Sequence, residues 1–287
     1  MKFVEIGAFE VVHRRLTWPW VAIDATGTRF AFASAPDRIS TRRLVADRLE
    51  EGPSFPLGDL ALPSEPPDPE SHRGAAAGLH GFTLDSSGAL LAVTGVVEQT
   101  SLVVTVGVDG EVRRTNVDAV APGFIAHAIA FDRSGTRLWL SAENGQNTAL
   151  LLLDARSHEL LGLLLSEPFP PPGNHELHVH PQDDAVLLLA ACGQDGTFAR
   201  VAGFTDGPPV LIPTALDAGA EPAGFVGFSS DGAWVHLAED ESLRTHSWPG
   251  LVELSTVPFT DEFASAYSGI VLRDRILVDG NDVDSED

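Results

Sequence analysis

The chain has 287 residues, of which 44% are apolar, so it is long enough to bury one large core or two ordinary ones. Its 41 acidic and 18 basic side chains give a formal net charge of −23, which argues against nucleic acid and anionic membranes as general partners. One cysteine, Cys192, excludes an internal disulfide and a thiolate-rich zinc site.

No apolar run is long enough for a membrane helix, and the acidic start lacks the apolar stretch of a secretory signal. We therefore expect a cytoplasmic protein. The basic residues are arginine except for Lys2, a bias typical of GC-rich bacterial genomes.

In chain order, two strand-like runs, Phe3–Ile6 and Phe9–Leu16, precede an internal repeat. Each copy has alternating apolar residues, a four-residue turn and a second apolar run, and the copies are Val21–Phe32, Phe82–Val93, Ile129–Leu140, His178–Leu189 and Val226–Leu237. The turns recur at intervals of 61, 47, 49 and 48 residues. Three turns begin with aspartate and end with glycine, as in Asp132–Gly135, which predicts a β-hairpin in each copy.

Two more strand-like runs follow each hairpin, most clearly Thr148–Asp154 and Glu159–Leu165. The unit is therefore four antiparallel strands in about 48 residues, the size of a propeller blade. Ser40–Glu51 has the pattern of a capped amphipathic helix, but the repeat predicts a third strand there.

The two ends of the chain are predicted to share a blade, because strand-like runs at Ile270–Leu272 and Arg275–Asp279 complement the two at the start. Six blades of about 48 residues account for the length. We therefore expect an all-β fold, a single six-bladed β-propeller spanning residues 1–287 and closed by pairing of the N- and C-terminal strands. A seven-bladed ring is the alternative, and the Pro-rich residues 58–79 are expected to form a surface loop.

The best copies of the repeat, FSSDGAWVHLA at Phe228–Ala238 and LLDARSHELL at Leu152–Leu161, resemble the repeats of WD40, YVTN and TolB-like β-propellers. The copies are divergent, since none carries a Trp-Asp dipeptide. The resemblance implies a propeller fold and a non-enzymatic interaction module that presents its loop-bearing face to a protein or peptide.

Histidines recur near the predicted central channel. Five residues before the turn, the copies carry Pro19, His80, His127, Glu176 and Gly224. Imidazole and carboxylate groups converging from separate strands can build a divalent metal site, here of zinc or calcium, and the residues that could form it are His80, His127, His175, Glu176 and His178. The alternative is a solvated channel rim without a metal, and no cofactor is otherwise expected.

A ligand site is also predicted at the channel mouth, from Trp18 and Trp20 together with Glu143 and Asn144. No catalytic residue is predicted, because no known catalytic motif occurs in the sequence. A metal-dependent hydrolase or lyase, similar to propeller lactonases and with its site in the channel, is the alternative function. In the fourth copy, His178 and His180 replace apolar residues, and we expect both to pack against a neighbouring blade.

Overall fold

The computed structural model describes residues 21–24, 28–35, 37–45, 48–57, 78–144, 147–165, 175–191, 197–203, 209–215, 224–239, 242–258, 269–272 and 275–278. These residues form 22 β-strands and one short 3-10 turn, Val117–Ala119, and they contain no α-helix. No helix in this part of the chain is long and apolar enough to cross a membrane.

Twenty strands form five four-stranded antiparallel sheets, or blades, in which neighbours in sequence are neighbours in space. Blade one contains β1 Val21–Ile23, β2 Arg29–Ala35, β3 Arg38–Val45 and β4 Arg48–Pro56. Blade two contains β5 Gly78–Leu84, β6 Leu90–Val97, β7 Thr100–Gly107 and β8 Val112–Asn116. Blade three contains β9 Ile125–Phe131, β10 Arg137–Glu143, β11 Thr148–Asp154 and β12 Leu160–Leu165. Blade four contains β13 His175–Val179, β14 Ala185–Ala191, β15 Thr197–Gly203 and β16 Val210–Ile212. Blade five contains β17 Gly224–Phe228, β18 Trp234–Glu239, β19 Ser242–Ser247 and β20 Glu253–Pro258.

The predicted hairpins are confirmed, because each of the five repeat segments spans the first and second strands of one blade. Ser40–Glu51 falls within β3 and β4, as the repeat predicted, and is not a helix. Residues 58–77 of the predicted loop lie outside the described residues, and β5 already begins at Gly78.

The prediction of six or seven blades is wrong, because the structure has five four-stranded blades. The remaining two strands, β21 Gly269–Leu272 and β22 Arg275–Val278, form a two-stranded sheet. The expected N-terminal strands, and hence their pairing with the C-terminal ones, lie outside the described residues. Six blades were expected because two strand-like runs at each end of the chain would complete a further sheet, but the C-terminal strands of the described residues pair with each other alone.

The core lies between neighbouring blades. One cluster joins Ile39 and Phe55 of blade one to Phe82 of blade two, and equivalent clusters lie at the next three interfaces. Both faces of an interior sheet are therefore covered, which explains why second strands such as β14 are apolar without alternation. Trp139 in β10, 2% exposed, packs against Leu188 of blade four in this way.

An aspartate at the first position of the turn fastens three of the hairpins. Asp132 accepts hydrogen bonds through Oδ1 from the backbone N–H groups of Thr136 and Arg137, both at 3.0 Å. Asp24 and Asp85 accept bonds from the same relative positions. In blade five, the Ser229 hydroxyl accepts instead from the Trp234 N–H. In blade four, the Nδ1 atom of His180 accepts from the N–H groups of Gln182 and Asp183.

These turns also link one blade to the next, and we call the surface that they form the turn face. The Arg29 guanidinium donates to the carbonyl of Ser86 at 2.6 Å, and Arg133 donates to the carbonyl of Gln182 at 2.9 Å. Blades one and two, and blades three and four, are thus joined by arginine side chains at this face.

A buried histidine joins blades two and three. His158, 2% exposed, lies in the turn between β11 and β12 with a φ of 57°. Its Nε2 and Nδ1 atoms lie 3.2 and 2.9 Å from the hydroxyls of Thr105 and Thr115 in blade two. Burial, together with the charge of Arg113, lowers the pKa of His158 to about 4, although Asp154 acts in the opposite direction.

Replacing Asp132 with alanine should lower the free energy of unfolding by about 1–3 kcal/mol, because two backbone donors lose their acceptor beside a buried site. Urea titration followed by circular dichroism measures the change. The exposed Glu111 provides the matched control, since Glu111→Ala should change stability by less than about 0.5 kcal/mol. Equal stabilities for the two variants would contradict a structural role for the Asp132 carboxylate.

The pKa of His158 makes stability depend on pH. Above an ordinary histidine pKa of 6.5 both folded and unfolded states are neutral at this ring, whereas between 6.5 and about 4 only the unfolded state is protonated. Stability should therefore fall as the pH is lowered through this window. His158→Asn, which suits the left-handed backbone, should show a shallower fall in melting temperature between pH 7 and pH 4. Parallel curves for the variant and the wild type would refute this assignment.

Candidate functional site

Two of the predicted site histidines lie at β-bulges near the start of their strands. His80 is the extra residue between Leu79 and Gly81, which pair with consecutive residues of β6. His127 is the extra residue at the equivalent point of β9, between Ala126 and Ala128. A bulge turns a side chain away from the regular alternation of a strand. Here it puts two imidazoles from neighbouring blades side by side.

The two bulges approach each other closely. His80 donates from Nδ1 to the carbonyl of Ala126 at 3.1 Å, and the two imidazole rings are nearly parallel with centroids 5.5 Å apart. A Cβ atom on Gly81 would lie only 3.1 Å from the His127 carbonyl oxygen, so a side chain there would press on the neighbouring strand.

His175 extends the pair into a row across blades two, three and four. Its ring meets that of His127 edge to face, with centroids 5.4 Å apart, and its Nδ1 lies 2.7 Å from the Ser141 hydroxyl. We call His80, His127 and His175 the imidazole row. Glu143, at the end of β10, completes it, since its Oε1 lies 3.2 Å from His127 Nε2.

The sequence alignment placed Glu176, not His175, level with His80 and His127. The difference arises because the alignment took Pro181 as the first residue of the turn. In the structure, the His180 N–H donates to the Ala185 carbonyl as the Asp132 N–H donates to the Arg137 carbonyl. His180 is therefore the equivalent residue, and His175 lies five positions before it.

The row runs from buried to accessible. His175 is 3% exposed, whereas the side chain of His127 is 24% exposed and His80 is also half-buried. Burial, reinforced by charge on His127, lowers the pKa of His175 to about 4, and Glu143 only partly offsets this. His175 is therefore a neutral imidazole at pH 7.

Glu176 and His178 do not join the row. Successive side chains of a strand point to opposite faces, so His175 and Leu177 face blade three while Glu176 and His178 face blade five. His178 Nε2 lies 2.8 Å from Glu176 Oε2, and its ring stacks on Phe225. The five predicted metal ligands thus divide into two groups.

His180, which the sequence also marked as unusual, packs against blade five. Its ring stacks on Trp248 at a centroid distance of 4.7 Å and meets Phe228 edge to face. Its Nε2 donates to the carbonyl of Gly232 at 2.7 Å, and burial lowers its pKa. The ring therefore acts as a packing and hydrogen-bonding group between two blades.

The turns between second and third strands lie at the same end of the blades as the row, and we call this surface the loop face. Asn144 is exposed there beside the half-buried Glu143. Glu98 and Gln99 form a two-residue turn between β6 and β7, with φ values of 48° and 67°, and both are exposed. This is the left-handed backbone geometry of a tight hairpin.

The remaining predicted ligand-binding residues, Trp18 and Trp20, lie outside the described residues, as does Cys192. In the described ranges, no three histidine, cysteine, aspartate or glutamate side chains are already arranged to hold a metal ion. The sequence analysis missed Ser141, which reads as an ordinary strand residue. A long-range hydrogen bond of this kind leaves no local signal in the sequence.

Ser141→Ala should lower the free energy of unfolding by about 1–3 kcal/mol, because the substitution leaves a buried imidazole nitrogen without its hydroxyl partner. Chemical unfolding at pH 7 measures the loss. Ser230→Ala, at an exposed turn position, is the control and should lie within about 0.5 kcal/mol of wild type. A Ser141→Ala protein as stable as the control would show that the hydroxyl contributes nothing.

No family model matches the chain, and no curated protein matches it. Among solved structures, the β-propeller domain of Cps50 (Swd1) from Myceliophteria thermophila is similar, with a TM-score of 0.56 and 13% identity over 93% of this chain and 79% of that one. The β-propeller domain of the Trilobed protease from Pyrococcus furiosus has a TM-score of 0.48 and 11% identity, covering 91% and 77% of the two chains. TolB from Acinetobacter baumannii has a TM-score of 0.46 and 14% identity, covering 83% and 53%. The predicted resemblance to β-propellers is confirmed as a likeness of fold, and the chain is a divergent β-propeller.

Proposed function

We propose that this protein is a non-enzymatic interaction module whose loop face binds a protein or peptide partner. The observation that carries the proposal is the contribution of neighbouring blades to one polar surface. The half-buried His80 and His127 come from separate blades and their rings are in contact. The same two blades present the exposed Glu98 and Asn144 on the loop face. A ligand held by several blades contacts many side chains that the rigid sheets have already positioned.

The exposed part of this surface suits recognition of a polypeptide. Glu98 and Gln99 are presented by a tight two-residue turn, so little backbone conformational entropy is lost when they bind a partner. Asn144 adds an amide group next to Glu143. Amide and carboxylate groups of this kind can hydrogen-bond to the backbone and to the basic side chains of a peptide.

The alternative, a metal-dependent hydrolase or lyase, is not favoured by the geometry. The residues predicted as its metal ligands are divided by the alternation of β13 between a row facing blade three and a pair facing blade five. We further expect no nucleic-acid or membrane partner, from the net charge of −23, and a cytoplasmic location, from the lack of long apolar segments.

Selection of the full chain against a displayed library of random linear peptides tests the proposal. Enriched peptides are then measured by fluorescence anisotropy against two matched variants of blade two. Glu98→Lys changes the loop face, whereas Glu111→Lys makes the same change in charge in the β7–β8 turn on the opposite face. We expect at least a tenfold change in Kd for Glu98→Lys, or for Glu98→Lys combined with Asn144→Lys, and wild-type Kd for Glu111→Lys.

Two results would overturn the proposal. One is a selection that yields no peptide with a measurable Kd. The other is a set of peptides that bind the loop-face variants as tightly as wild type, which would place binding elsewhere on the molecule. Circular dichroism on every variant confirms that the comparison is made between folded proteins.

A further inference from the structure

We propose that the imidazole row, together with Glu143, binds a divalent transition-metal ion such as zinc at the loop face between blades two, three and four. This proposal concerns binding alone and requires no catalysis. It also does not depend on the proposed interaction function, because the groups that would hold the ion all belong to this chain.

The donor set determines the class of ion. Three imidazoles and one carboxylate form the kind of site in which zinc, cobalt or nickel is bound, whereas calcium takes six to eight oxygen ligands. The imidazole row and Glu143 together offer a single carboxylate, that of Glu143. These four side chains therefore do not supply the oxygen ligands that calcium needs. The structure thus favours the first of the two metals expected from the sequence.

The contact between His127 and Glu143 has the spacing of two ligands of one ion. His127 Nε2 and Glu143 Oε1 lie 3.2 Å apart. Two ligand atoms that are each bonded to a tetrahedral zinc ion are separated by about 3.3 Å, given bond lengths near 2.0 Å. An ion can therefore replace the proton that these two groups share, without a change in their separation.

The Nδ1 atoms of the flanking rings lie beside oxygens of the kind to which metal-ligating histidines donate. A ligating imidazole usually donates its other ring N–H to a carbonyl or carboxylate, which fixes its tautomer. His80 donates from Nδ1 to the Ala126 carbonyl, so its Nε2 carries the lone pair. His175 Nδ1 lies against the Ser141 hydroxyl, and donation to that oxygen leaves its Nε2 in the same state.

The strands already hold the rings at the separation that a shared ion requires. Two imidazoles bound to one tetrahedral zinc ion have ring centroids about 5 Å apart, from bond lengths near 2.0 Å. The centroid distances in the row are 5.5 and 5.4 Å. Among the described residues, no three candidate side chains are arranged to hold a metal ion, and the nearly parallel His80 and His127 rings direct their in-plane lone pairs along separate lines. Binding therefore requires the rings to rotate.

Titration calorimetry of the full chain with zinc chloride at pH 7.5 tests this proposal, and the visible absorption of bound Co²⁺ reports the ligand geometry. We expect one equivalent of zinc per chain, a higher melting temperature with zinc, and the intense bands of a tetrahedral Co²⁺ site. His127→Gln should weaken zinc binding at least tenfold. His236→Gln is the matched control, because it removes a half-buried imidazole from β18 of blade five, outside the row.

A second variant, His80→Gln, keeps the test decisive if His127→Gln does not fold, because His80 is half-buried and lies in a different blade. Wild-type protein that binds no stoichiometric zinc would overturn the proposal and favour a solvated rim. So would folded His127→Gln and His80→Gln proteins that bind zinc as tightly as His236→Gln. No peptide is present in these measurements, so their outcome is independent of the peptide selection.

Discussion

The burial of each sheet between its two neighbours is the constraint on which the rest of this structure depends. A blade such as β9–β12 cannot bury either face alone, and its apolar residues reach low exposure only against blades two and four. This requirement explains the apolar second strands. It also means that any polar group at an interface must find its partner on the adjacent blade, because water is excluded there.

Neutral imidazole meets that requirement at several interfaces. His158 contacts two threonine hydroxyls of blade two, His175 contacts Ser141 of blade three, and His180 donates to the carbonyl of Gly232 in blade five. One ring nitrogen can donate while the other accepts, so a single side chain can join two polar groups on different strands. The same burial lowers the pKa of all three residues and keeps them neutral at pH 7. The unusual histidine content of blade four is thus, for His175 and His180, a consequence of interblade packing.

What the sequence could predict was local. The turn from Asp132 to Gly135 contains all the groups that fasten it, so the hairpin could be assigned without knowledge of the rest of the chain. The number of blades could not be assigned in this way, since it depends on which strands the two ends of the chain pair with. The site was partly predictable: His80 and His127 share a position in the repeat, but the bulges that bring them together depend on pairing with β6 and β10. Selection of His175 over Glu176 depends on the turn, because His180 and not Pro181 takes the place that Asp132 has in blade three.

The bulges therefore connect the fold to both proposals. They turn His80 and His127 out of the regular alternation and toward the loop face, where the row and the exposed Glu98 and Asn144 offer two different kinds of contact. A bound ion would fix the orientation of the imidazole rings. A partner that touches these rings would therefore meet a different surface with the ion than without it. Thermodynamic linkage makes this coupling reciprocal, so the ion changes the affinity for such a partner by the same factor as the partner changes the affinity for the ion. A partner that contacts only Glu98 and Asn144 leaves the rings untouched and has no such effect. The zinc affinity measured with and without a bound peptide therefore reveals which part of the loop face the peptide occupies.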